Sequence, residues 1–144
     1  MSKTVQESLD TCLFFTVKKL DRILNKMADE AFSKVGLTPT YAFIILILAE
    51  EDGKLQKDIA RMLFIAPSTL TRFLEKLIQK RYVTTIVEGR TSRVYLTEIG
   101  RKAVPSIQLA WDDLHHMYGD VIGDDYADEL ATEINDASEF FHNF

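Results

Sequence analysis

The sequence predicts a mainly α-helical fold with a single β-hairpin set among its helices, and three observations predict it. Apolar residues recur at steps of three and four through most of the 144 residues, the spacing that gathers side chains on one face of a helix. One stretch, Tyr82 to Leu96, turns instead to β-branched and aromatic residues on either side of a Gly-containing turn, the pattern of two paired strands. Only three Pro and six Gly punctuate the chain, so few of the helices are interrupted. The length and a 47% hydrophobic composition point to one domain with a real core.

The elements follow in order. From about Thr4 to Lys34, Leu9, Leu13, Val17, Leu20, Leu24 and Met27 give the stripe of one long first helix, which Gly36 is placed to stop. Thr38 as cap and Pro39 at the first helical position start a second helix, running to about Glu50. Its Ala42 to Ala49 stretch is apolar on every side, which places it at the centre of the domain. Leu55, Ile59, Ala60 and Leu63 spell a third helix ending near Phe64, with Asp58 in its first turn to suit the helix dipole. Ala66-Pro67-Ser68 opens a fourth, whose buried stripe is Leu70, Phe73, Leu74, Leu77 and Ile78.

The opposite face of that fourth helix shows Ser68, Thr69, Thr71, Arg72, Lys76 and Lys80. The hairpin comes next, with Glu88 to Ser92 at its tip. Thr97 and Glu98 begin a fifth helix, bent or restarted at Pro105, that runs through Leu109, Trp111, Leu114 and Met117 to Gly119. Gly123-Asp124-Asp125 leads into a last helix carrying Ala127, Leu130, Ala131, Ile134, Ala137, Phe140 and Phe141.

Charge is distributed unevenly over these elements. Lys54 to Lys102 holds eleven Lys/Arg against four Asp/Glu inside a chain of net charge −5, whereas residues 103–144 hold ten Asp/Glu and no Lys or Arg. Such asymmetry is an argument about partners, and a basic block of this kind faces a polyanion. Two short helices, a turn and a hairpin inside that block are the order of a winged helix-turn-helix. A helix entering the major groove needs small hydroxyls and cations on its exposed N-terminal half, since these reach base edges and phosphates without steric block. Pro67, Ser68, Thr69, Thr71 and Arg72, with Lys76 further on, provide that set. A hairpin tip beside the duplex places Arg in the minor groove, and Arg90 stands at the tip. Arg93 is open between a phosphate contact and a purely structural place on the hairpin.

At these residues the chain resembles the MarR family of transcriptional regulators: in LTPTYAFIILILAE, in QKDIARMLFIAPSTLTRFLEKLIQKRYV and in the wing EGRTSRVYLTEIG. The wing is the most specific piece, where Glu88, Arg90, Leu96, Thr97 and Gly100 match the family pattern. The resemblance covers essentially the whole chain. It implies a single domain, residues 1–144, with a winged-helix DNA-binding lobe at 37–100 and dimerisation helices at 1–35 and 101–144. It further implies a homodimer whose recognition helices read the two halves of a pseudo-palindrome in double-stranded DNA. Ser68, Thr69, Thr71 and Arg72 would then face the major groove, with Arg90 in the minor groove and Glu88 orienting it. Two residues depart from the pattern: Glu88 where Asp is usual, and Leu55 where Ser or Thr often caps the third helix, a loss worth about a kilocalorie per mole.

Other readings are narrower. Cys12 is the lone cysteine, which leaves no internal disulfide. Some sensors in the resembled family use such a cysteine, but they surround it with tyrosines, and here Phe14, Phe15 and Thr16 follow it; a small buried hydrophobe is the expected role. His115 and His116 lie near Asp112, Asp113 and Asp120, yet adjacent histidines point about 100° apart on a helix, so no metal is expected. Phe14, Phe15, Tyr41, Phe43 and Trp111 are either core or the lining of a small-molecule effector cavity. No phosphate loop, nucleophile elbow or metal triad is present, so neither an enzyme nor a cofactor is expected. The longest apolar run is far too short for a bilayer and the start lacks a signal-peptide hydrophobic region, which predicts a cytoplasmic protein with no membrane partner. The expected function is a DNA-binding transcriptional regulator, a repressor in the first instance. The alternatives are a winged-helix module that binds protein instead, or a redox- or metal-sensing form of the same regulator.

Overall fold

A computed structural model describes residues 2–142 and Phe144. The order is α1 (Val5–Asp10), α2 (Leu13–Phe32), α3 (Pro39–Glu50), β1 (Lys54–Leu55), α4 (Gln56–Leu63), α5 (Pro67–Gln79), β2 (Val83–Glu88), β3 (Thr91–Leu96), α6 (Glu98–Ile122) and α7 (Asp124–Phe140). Contacts divide the chain into two units: Phe32–Ala110, and the residues up to Ala31 together with those from Trp111 onward.

The Phe32–Ala110 unit is a winged helix-turn-helix with a conventional core. Ala42, Ile44, Ile45 and Leu48 make α3 its buried centre, as the unbroken apolar run predicts. Ile59 of α4, Leu70, Leu74 and Leu77 of α5, Val83 and Val94 of the hairpin, and Ile107 of α6 close around it. The stripe of α5 is narrower than expected, because Phe73 is half-buried and Ile78 is exposed. Phe73 packs instead on Tyr41 of α3, ring centroids 5.0 Å apart, which holds α5 against the central helix.

The three strands form an antiparallel sheet of order β1-β3-β2. Val83 lies opposite Leu96, and Thr85 opposite Val94, so one face of the hairpin is pinned to the core by alternation. The strand β1 was not expected: Lys54 and Leu55 pair with Val94 and Arg93, so Leu55 is the backbone N-cap of α4 rather than part of its stripe, and no side chain caps that helix. Asp52 fastens the sheet from outside. Its carboxylate accepts from the Leu96 backbone N–H at 2.8 Å and from Arg101 Nη2 at 2.6 Å.

The junction from α5 to α6 is the tightest part of this unit. Arg81 takes a left-handed φ of 66° and the Tyr82 N–H donates to the Leu77 carbonyl, closing α5 as a Schellman turn without the usual glycine. The Thr97 hydroxyl donates to the Arg81 carbonyl at 2.5 Å, and its oxygen accepts from the Gly100 N–H at 3.1 Å. One side chain thus caps α6 and ties it to the end of α5. Thr97→Val keeps the shape and removes both bonds, so a loss of about 1–3 kcal/mol is expected, read as a lower urea midpoint at unchanged slope.

The other unit holds α1, nearly all of α2, the end of α6 and α7. The single long first helix of the sequence reading is in fact two. Thr4 and Glu7 form a capping box at the start of α1, and the chain breaks at Thr11 and Cys12, where the Thr11 hydroxyl donates to the Glu7 carbonyl at 3.1 Å and the Cys12 N–H to that of Leu9. A threonine that satisfies local carbonyls with its own hydroxyl competes with helix propagation. Cys12 is consequently exposed on this chain, not the buried hydrophobe expected of it. Pro105 lies inside an uninterrupted α6, which continues past Gly119 to Ile122. It faces outward, where water can satisfy the carbonyl its missing N–H leaves open. Thr38 occupies the N-cap of α3 by its backbone alone, its hydroxyl making no cap bond. No helix of the described residues is long and apolar enough to cross a membrane.

Candidate nucleic-acid interface

Helices α4 and α5 are joined by Phe64-Ile65-Ala66, with Phe64 at φ 53° and the Ile65 N–H donating to the Ala60 carbonyl at 3.1 Å. This second glycine-free Schellman turn redirects the chain sharply enough for α5 to begin with only three residues between it and α4. Pro67 then sits in the first helical position of α5, exposed together with Ser68, Thr71, Arg72 and Lys76, while Thr69 is half-buried. The row the sequence reading assigned to the major groove therefore shares one face, with Thr69 at its inner border.

The wing is compact. Glu88 and Thr91 are paired residues, so Gly89 and Arg90 alone make the turn. A positive φ at Gly89 but not at Arg90 is the type II′ pattern, whose twist suits the flanking strands. Thr91 Oγ1 donates to the Glu88 carbonyl at 2.8 Å and braces the tip. Arg90 is exposed there. The expected contact from Glu88 is not made in the free chain: among the described residues no ion pair joins Glu88 to Arg90, and both side chains stand in water, where such a pair gains little. Arg93 has a structural contact, its Nη1 donating to the Gly53 carbonyl at 2.9 Å and tying β3 to the turn before β1.

A cleft of about 470 Å³ separates the wing from the helix-turn-helix, lined by Gln56, Lys57, Pro67, Arg90, Thr91 and Ser92 among others. Gln56 and Lys57 were not singled out from sequence. Their signal was present in Lys57 belonging to the basic block, but only the folded lobe brings the start of α4 opposite the wing tip.

Ion pairs thin the basic block selectively. Lys54 meets Glu51 at 2.7 Å, a contact that holds the lysine pKa up and the glutamate pKa down through their shared hydrogen bond. Asp58 takes Arg61, Asp52 takes Arg101 and Glu98 takes Lys102. Lys57, Arg72, Lys76, Lys80, Arg81, Arg90 and Arg93 have no acidic partner among the described residues. The uncompensated charge lies on α4, on α5 with its C-terminal turn, and on the wing.

Elsewhere the residues considered for sensing have local partners. His115 Nδ1 donates to the Trp111 carbonyl at 2.8 Å, and its ring lies between Trp111 and Tyr118. Burial, aided by Asp128 and Asp124, pushes the Tyr118 phenol pKa up. Phe43 stands edge-on to Phe32, centroids 6.3 Å apart, and Phe14 is exposed beneath Lys18.

Comparison with known proteins agrees with this geometry. Residues 35–93, the span from the turn before α3 into β3, match the MarR family model. An uncharacterised HTH-type transcriptional regulator of Bacillus subtilis, YpoP, is 26% identical over 99 residues, 67% of each chain. Among solved structures, PcaV of Streptomyces coelicolor in complex with its natural ligand superposes with a TM-score of 0.83 at 16% identity, covering 96% of this chain and 98% of that one. The repressor CouR of Rhodococcus jostii RHA1, solved on a 23-mer DNA duplex, superposes with a TM-score of 0.82 at 20% identity, covering 95% and 99%. At such identities the structural likeness speaks for the fold.

Proposed function

We propose that the chain is a transcriptional regulator of the MarR family and not an enzyme, a homodimeric repressor that reads a pseudo-palindromic operator. The observation that carries this is the coincidence of three features on one lobe: the exposed row Ser68, Thr71 and Arg72, the wing-tip Arg90, and a basic block whose cations without an acidic partner lie on α4, α5 and the wing. Phosphate contacts position such a lobe, and hydroxyls and guanidinium on base edges specify the site. CouR bound to DNA supports the same reading.

The homodimer rests on what the second unit leaves uncovered. Among its described residues the buried apolar side chains are Ala31 and Ala127, whereas Phe14 is 73% and Phe140 86% exposed. An apolar groove of about 360 Å³, lined by Leu20, Leu24, Ile122, Leu130 and Ile134, stays open beside them. Surface of that extent and chemistry is stable when a second copy covers it. PcaV with its ligand and CouR with p-coumaroyl-CoA support control by a small-molecule effector.

Salt titration tests both parts at once. Affinity for duplex DNA should fall linearly in log–log form, by about 0.9 per neutralised phosphate. Each substitution is made twice in a homodimer, so Lys76→Ala should lower the slope by about two, where a monomer would lose about one. A salt-independent affinity would instead favour a winged-helix module that binds protein.

A further inference from the structure

Among the described residues, two other than glycine hold a left-handed backbone, Phe64 at φ 53° and Arg81 at φ 66°. Both end a helix, where glycine would stand at lower cost. Arg81 recovers part of that cost, because its cation sits at the C-terminal, negative end of α5. Phe64 recovers none of it from the fold. The residue is 92% exposed, so its ring buries nothing, and its backbone N–H, which reaches the Ala60 and Arg61 carbonyls, would bond as well in glycine. A bulky side chain kept in a strained conformation and left in water points to a role outside the folded chain.

Its place in the lobe narrows that role. Phe64 follows α4 and stands three residues before Pro67, which lines the cleft together with Lys57 and Arg90. Three residues of chain span at most about 11 Å. In a helix-turn-helix the first helix crosses the sugar–phosphate backbone and the second enters the major groove by its N-terminal end, so the turn between them lies where protein passes from backbone to base edges. A ring with neither charge nor hydrogen-bonding group has one apolar partner on those edges, the 5-methyl group of thymine. We propose that Phe64 is a specificity-determining residue that packs its ring on a thymine methyl group at one position of each half-site. The inference rests on the DNA-reading function proposed above and names one determinant of its specificity.

Selection of bound duplexes from random DNA, run on the wild type and on Phe64→Gly, locates the position. The wild type should prefer thymine once in each half-site where Phe64→Gly accepts any base, the other positions staying alike. Deoxyuridine in place of that thymine removes the methyl group and nothing else. It should weaken the wild type by about fourfold for each half-site, the worth of one buried methyl group, and leave Phe64→Gly unaffected. Phe64→Gly should also melt at or above the wild-type temperature, since glycine takes the left-handed backbone without strain. Identical consensus sequences, a loss spread evenly over all positions, a uracil penalty of equal size in both proteins, or a lower melting temperature for Phe64→Gly would each overturn the assignment. A wild type that selects no consensus removes the DNA-reading function itself, whereas the other adverse results leave that function standing and remove only the role of Phe64.

Discussion

Gly100→Ala is expected to destabilise the protein by about 2–4 kcal/mol, the reverse of what the same change does in an ordinary helix. Alanine at an exposed helical glycine stabilises by up to about 1 kcal/mol, through backbone entropy. Gly100 is buried in the first turn of α6, and a β-carbon there would overlap the Tyr82 carbonyl oxygen and approach Leu96 Cδ2 to 2.9 Å. That carbonyl cannot retreat, because it accepts from the Thr97 N–H at 3.0 Å. Relief must come from moving α6 off the end of α5, which gives up the Thr97 bonds and part of the core packing around Leu96. The cost joins an overpacking term of about 1–3 kcal/mol to those lost hydrogen bonds. Urea unfolding monitored by circular dichroism measures it; a midpoint at or above that of the wild type would show that the junction is looser than its hydrogen bonds imply.

Arg90→Ala is expected to weaken operator binding by about 1–3 kcal/mol per wing, with the folded protein untouched. Arg90 is exposed and has no ion pair among the described residues, so nothing in the fold depends on it. The two-residue turn nevertheless sets it at the furthest reach of the lobe, where a guanidinium can enter a narrow minor groove and meet its enhanced negative potential. Arg90→Lys sharpens the test, since it keeps the charge and loses the planar fork, and should recover only part of the affinity. The measurement is a titration of labelled duplex at fixed salt beside a thermal melt. Equal affinities for Arg90→Ala and the wild type would take Arg90 out of the interface.

Much of the fold was legible because the signals are local. The apolar run of α3 names a central helix, Pro39 and Pro67 mark two helix starts, and the switch to Val, Thr and Tyr marks the hairpin. The readings that needed correction have different causes. The break at Thr11 and Cys12 is local, whereas Phe73 is half-buried where it meets Tyr41. Leu55 stops being a helix residue because Arg93, far along the chain, offers it a strand partner. The candidate site divides the same way. Its exposed hydroxyls and cations could be named from their spacing and charge, but the contact from Glu88 to Arg90 could not be settled by their nearness in sequence, and the bond from Arg93 to a carbonyl forty residues away could not be read there at all.

The sequence by itself determined the helix-turn-helix and wing order, the basic middle and acidic end, and the identity of Ser68, Thr71, Arg72 and Arg90 as outward-facing groups. Periodicity, charge and turn chemistry act between near neighbours and can be read along a line. Only the tertiary structure decided which cations stay uncompensated, that Asp52 anchors the sheet, that Gln56 donates to Thr71, and that the lobe extends from Phe32 to Ala110. Each of those is a pairing of groups far apart in the chain, set by how the elements pack.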